Sequence, residues 1–251
     1  MGPFEIIYMD FDHSFRVFDF QKTNSIPYFL VTHLSYMTAP GLHEKILSDP
    51  NLIRWYAKNA NSSSHPKLVP LPIGLYEDTP EHHSRIVRAS LSQKKFEDRP
   101  IDLYVNVALE SHKSRSKNFE FCNSTSFTTL CRMERIPFDE YLEELGNSKF
   151  VLSPRGAGFD CFRTWEAIIM GAIPIIERSP IDALYQNERI LLVDSFDEIT
   201  ASLLQETEEK FESHEFGRSK VFKSYWKDMF HDPVREVVGK RAYLQKFYRP
   251  A

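Results

Sequence analysis

Two arginines, two acids and two glycines crowd one short turn of this sequence. They are Arg155, Gly156, Gly158, Asp160, Arg163 and Glu166, within FVLSPRGAGFDCFRTWEAIIMGAIPII at 150–176. The flanking runs KFVLS and IPIIE are apolar enough to be buried strands. Ligands of parallel α/β sheets bind where a strand ends and its helix begins, and this turn is such a place. Gly156 and Gly158 permit close backbone approach or a positive φ. Asp160 suits an N-cap, which makes Cys161 the first helical residue and Arg163 the third. A helix start carries partial positive charge and favours acids, so a cation there is locally unfavourable. Arg163, with Arg155 shortly before it, therefore concentrates positive potential on one spot, as a phosphate site requires. Glu166, three residues on, shares the face of Arg163 and can hold it or accept from ribose hydroxyls. A solvated Arg163–Glu166 pair of small energetic worth is the other reading of the same spacing.

Known phosphate motifs fit poorly. The chain has no G-x-x-x-x-G-K-[ST], and G-x-G-x-x-G fails because Cys161 stands at its third glycine. Glu177, ending the next strand, occupies roughly the place of a ribose-binding acid, which keeps a nicotinamide-dependent enzyme as a minor alternative.

The elements that must position this turn follow a repeating pattern. Strands are expected at FEIIYM (4–9), PYFLVTH (27–33) and KLVPLPIGL (67–75). A helix is expected from Pro50, capped by Asp49, with Leu52, Ile53 and Tyr56 as its apolar stripe. The polar segment 76–100 reads as a helix and a crossing connection. From residue 101 short apolar strands alternate with helices of about ten residues, which predicts a parallel sheet covered on both faces. SRSKNFEFCN reads as one of those helices, and helices closed by Gly146 and Gly171 as two others. The fold class is α/β, with two halves: 1–100, 101–210, and aromatic-rich helices over 211–251.

Composition excludes several classes. The 251 residues are 42% hydrophobic and 14% aromatic, enough for a real core. A net charge of −4 argues against nucleic acid as a partner. The first residues contain no basic, then apolar leader and no membrane segment, so a cytoplasmic protein is expected. Cys122, Cys131 and Cys161 lack metal-ligand spacing and are expected to be reduced thiols. The two N-x-[ST] triplets, at Asn61 and Asn123, are then expected to be coincidental.

SKFVLSPRGAGFDCFRTWEAIIMGAIPII resembles the signature of exostosin-like glycosyltransferases: a strand, P-R-G, a loop, F-R, E-A and G-x-I-P. It is most similar to the small branch with xylosyltransferase-like relatives, and YFLVTH, HPKLVPLPIG and DLYVNV extend the resemblance over 27–205. The resemblance implies a GT-B fold of two Rossmann-like halves. It implies inverting transfer of a sugar, with xylose favoured, from a UDP-sugar to a glycan or glycoprotein acceptor, without cofactor or essential metal. Arg155 and Arg163 would face the diphosphate, Glu166 the ribose, and Gly156, Gly158 and Asp160 the rest of the pocket. Lys113 and Arg115, after strand 101–109, match a basic position that can reach the same diphosphate. Relatives of this branch carry an H-N-S-D-like run where this chain reads THLSYMTAPG, so Tyr36 stands in place of an acid. A non-catalytic nucleotide-sugar-binding module is the alternative.

An inverting transferase needs a general base at the acceptor hydroxyl. His33, at the end of YFLVTH, has a suitable ordinary pKa and position, and Asp10 and Asp12 compete with it. The Asp10–Phe11–Asp12 triplet also leaves a metal-dependent route as a minor possibility.

Overall fold

Each strand of the protein is short and apolar, and each pairs in parallel with its neighbours, so every connection must cross over. The computed structural model describes residues 4–76, 79–108, 122–123, 126–212, 219–222 and 224–229. Two sheets result. The first, in the order β1-β2-β3-β4, comprises β1 (Glu5–Asp10), β2 (Tyr28–His33), β3 (Leu52–Lys58) and β4 (Leu68–Leu71). Helix α1 (Val17–Thr23) lies between β1 and β2. The contacts divide the chain between Pro72 and Ile73, and the described residues from Phe222 on belong with the first unit.

The first sheet corrects one expectation. Residues 52–58 form the strand β3, hydrogen-bonded between β2 and β4, and not a helix. Leu52, Ile53 and Tyr56 satisfy a helical stripe, but LIRWYAK is also rich in residues that suit a buried strand. Its two neighbouring strands decide the matter. Asp49 accordingly accepts from the backbone N–H of Asn51 at 2.8 Å, a local turn in place of a helix cap. Trp55 and Leu52 face the larger core with Val17, Leu30 and Ile46, while Phe29 and Tyr56 pack with Phe4 on the other face.

The second unit follows the expected alternation. Helix α2 (Pro80–Leu91), capped by Thr79, precedes β5 (Ile101–Asn106) and β6 (Thr129–Arg132). Then come α3 (Phe138–Gly146), β7 (Ser148–Leu152), α4 (Phe162–Ile169), β8 (Ile173–Glu177), β9 (Leu191–Val193) and α5 (Ala201–Glu212). The sheet order is β6-β5-β7-β8-β9. Alternate side chains enter two cores: Leu103, Phe150 and Leu152 on one face, Tyr104 and Val151 on the other. The helix expected over SRSKNFEFCN lies almost wholly outside the described residues, as do the helices expected beyond 229. No helix among the described residues is long and apolar enough to cross a membrane.

The cysteines differ from expectation. Cys122 and Cys131 form a disulfide, with Cα atoms 5.8 Å apart, while Cys161 is free. Nine residues of separation carry no recognisable signature. The sheet supplies what the spacing lacks, because β6 anchors Cys131 within bridging distance of Cys122.

Candidate functional site

Numbered within its own sheet, the second unit has the strand order 2-1-3-4-5, in which the chain reverses direction between β5 and β7. Ligands of such sheets lie outside the carboxyl ends at that reversal. Asn106 ends β5 and Leu152 ends β7, so the turn at 153–161 follows the carboxyl end of a strand at that reversal. Its base is pinned to the sheet. The Ser153 N–H donates to the Ile175 carbonyl at 2.9 Å, and the Ser153 hydroxyl lies 2.9 Å from that of Thr164.

Asp160 is the hub of the turn. It is only 3% exposed and accepts hydrogen bonds from the backbone N–H of Ile73 (2.7 Å) and Cys161 (3.0 Å). Trp165 Nε1 donates to both of its oxygens, at 3.0 and 2.9 Å, and the Tyr185 hydroxyl to one of them at 3.0 Å. Burial pushes its carboxyl up to about 6, against the opposing pull of these donors. The N-cap of α4 is Cys161, in extended conformation, one residue later than expected. Asp160 turns inward because a carboxylate there satisfies four donors at once; the side chain organises the turn.

Cys161 as N-cap places Arg163 in the first turn of α4. Its Nε is buried and has no hydrogen-bond partner among the described residues. Its positive charge draws Glu166, Tyr104 and Tyr141 towards their ionised forms, so these groups surround it. Glu166, 5% exposed, accepts from the Tyr141 hydroxyl at 2.7 Å. Burial raises the Glu166 pKa, and Tyr141, Arg163 and His82 oppose that rise. The pair is thus half-enclosed and is not a solvated surface bridge. Arg155 is placed differently: its guanidinium stacks 4.2 Å from the Phe159 ring centroid, over its own loop. Gly158 is buried and Gly156 half-buried in that loop. Lys113 and Arg115 lie outside the described residues.

In the first unit, the expected base stands in a row of polar ends. Asp10 is opposite His33 in the β1–β2 register, and Lys58 follows Ala57, the partner of Thr32. The His33 pKa is lowered, mainly by burial and then by the Lys58 ammonium, while a hydrogen bond to the Pro72 backbone opposes both. Lys58 is itself 7% exposed, with Nζ 5.1 Å from the Tyr36 ring centroid. Asp12 sits in the 3-10 turn after β1 and accepts from the Ser35 hydroxyl at 2.9 Å. Leu34 and Asn59, immediately after His33 and Lys58, have φ of 61° and 54°. Positive φ at a leucine is uncommon and marks a tightly determined edge. Asp10 and Asp12 belong to no group of three or more metal-ligating side chains among the described residues.

Sequence reading missed Tyr141, Asn106 and Lys58. Tyr141 sat in an amphipathic pattern that explains it as core. Asn106 and Lys58, polar ends of apolar strands, carried a signal of the kind that singled out His33.

The sequence profile of the RXYLT1 C-terminal domain matches residues 113–238 of the 251, which contain the whole 153–166 site. No curated protein matches the chain at a significant level.

Proposed function

The chain belongs to the RXYLT1 C-terminal domain family, and from that premise we propose that it is a glycosyltransferase, moving a sugar from a UDP-sugar to a glycan or glycoprotein hydroxyl. The observation that carries this reading is Arg163, whose buried Nε has no hydrogen-bond partner among the described residues beside the sheet's ligand edge. A buried donor left unmatched costs roughly 1–3 kcal/mol, and a diphosphate oxygen would remove that cost on binding. Glu166, kept near Arg163 by Tyr141, accepts from the ribose. Arg155 closes over the phosphates by leaving its stack on Phe159, and Arg115 is the further basic residue that the resemblance assigns to them.

The proposed arrangement is GT-B, with the N-terminal half holding the acceptor and the C-terminal half the donor. His33 takes the proton of the acceptor hydroxyl while that oxygen attacks the anomeric carbon from the face opposite the leaving group. The bond from the anomeric carbon to the UDP oxygen breaks, and the configuration inverts. Positive charge from Arg163, Arg155 and the start of α4 stabilises the departing diphosphate without a metal, because it is fixed before the reaction. The lowered pKa of His33 keeps it neutral, as a base must be. Asp12 is the competing candidate for the base. Xylose is the sugar favoured by the resemblance.

The second reading, a nucleotide-sugar-binding module without turnover, is favoured by Tyr36 where the branch carries an acid. A panel of nucleotide sugars separates the two. UDP-xylose or another UDP-sugar is expected to raise the melting temperature and to be hydrolysed or transferred to added glycans. Stabilisation without product supports the binding module, and no stabilisation by any nucleotide sugar refutes both.

A further inference from the structure

The triplet Asn61–Ser62–Ser63 follows β3, and the 3-10 turn Ser62–Ser64 starts immediately after Asn61. The backbone of Asn61 is fixed at both ends. Its N–H donates to the Ala39 carbonyl at 2.8 Å, and its carbonyl accepts from the Ser64 N–H at 3.1 Å and the Ser64 hydroxyl at 2.7 Å. The Ser63 hydroxyl donates to Asn61 Oδ1 at 2.6 Å, so the triplet's own hydroxyl already polarises the amide. Asn61 is half-buried, and its Nδ2 has no hydrogen-bond partner among the described residues. Ser63 and Ser64 beside it are exposed.

A second observation concerns the compartment. The Cys122–Cys131 disulfide is a bond that persists where thiols are oxidised, such as the secretory lumen, and is rare in a reducing cytosol. It overturns the expectation of three reduced thiols.

We propose that Asn61 is an N-glycosylation acceptor, modified at Nδ2 by an oligosaccharide from a lipid-pyrophosphate-linked donor. In that step Nδ2 attacks the first sugar's anomeric carbon. The new N–C bond forms as the C–O bond to the pyrophosphate breaks, the lipid pyrophosphate leaves with the electron pair, and one amide proton goes to a base of the transferase. The modification is independent of the chain's own proposed activity. The proposal concerns Asn61; Thr125, the hydroxyl residue of the second triplet, lies outside the described residues.

The test expresses the full chain behind a secretory leader in cultured eukaryotic cells. Both retained and released protein are mapped by mass spectrometry, with peptide N-glycosidase in heavy-oxygen water. The expected result is a labelled aspartate at position 61, lost in Asn61→Gln and Ser63→Ala and retained in Ser63→Thr. The same maps report whether the Cys122–Cys131 bridge forms where thiols are oxidised. A disulfide-bonded chain with Asn61 unoccupied overturns the proposal, as does occupancy at Asn123 alone. A chain reduced at Cys122 and Cys131 throughout overturns it too.

Discussion

Replacing Arg163 by alanine tests the site most directly, because its guanidinium combines a buried Nε that has no hydrogen-bond partner among the described residues with a place in the first turn of α4. A charge-assisted hydrogen bond is worth about 1.5–3 kcal/mol, so losing one to a diphosphate weakens binding about 10- to 150-fold. Lysine at the same position keeps the charge but loses the planar fork, so Arg163→Lys should fall between wild type and alanine. The unliganded protein should respond differently. Removing Arg163 relieves an unmatched buried donor but takes from Glu166 a positive charge that opposes the rise of its pKa. That pKa should therefore rise further. A raised acid binds its proton more tightly in the folded state, so the variant should lose stability relative to wild type as pH rises from the wild-type Glu166 value to the variant's higher one. Calorimetric titration with UDP and UDP-sugars, beside denaturant unfolding across that range, reads both effects. Arg163→Ala binding UDP within about twofold of wild type, a difference under ~0.5 kcal/mol, would refute the diphosphate assignment.

Asp160→Ala orphans four donors, two of them buried and worth ~1–3 kcal/mol each, and also relieves the burial of a carboxylate. A net loss of about 3 kcal/mol is expected in urea unfolding at neutral pH, and a change under ~1 kcal/mol would show that the turn holds itself. Lys58→Met should let the His33 pKa rise, because the Lys58 ammonium opposes imidazolium formation. The imidazole resonances, and the acidic limb of the rate profile, should both move to higher pH; an unmoved His33 titration would dismiss the coupling. Gly171 has φ of +70°, and a Cβ there would meet Arg99 Nη2 at 3.1 Å. Gly171→Ala should therefore cost about 1–3 kcal/mol by thermal unfolding, and a neutral result would mean the α4–β8 turn relaxes freely.

The second unit was the more legible of the two, for a physical reason. Helices with clear ends separate β6 from β7 and β7 from β8, such as α4 with Gly171 at positive φ after it, so local periodicity and tertiary structure agree there. In the first unit the residues at 52–58 satisfy two periods, and the local rule selected the wrong one. At the site, Arg163 and Glu166 were visible as charges out of place in an apolar setting. Asp160 was visible as well, but its role was not: a capping residue and a buried acceptor look alike until Ile73, Trp165 and Tyr185 are known to converge on it.

By itself, the sequence determined the α/β class, the strand–turn–helix at 148–169 and the concentration of positive charge at its turn, because these depend on neighbours within a few residues. The tertiary structure alone decided the rest. It set the strand order that puts the chain reversal between β5 and β7, the pairing of Cys122 with Cys131, and the row of Asp10, His33 and Lys58. These join residues distant in the chain through sheet register, which no local pattern encodes.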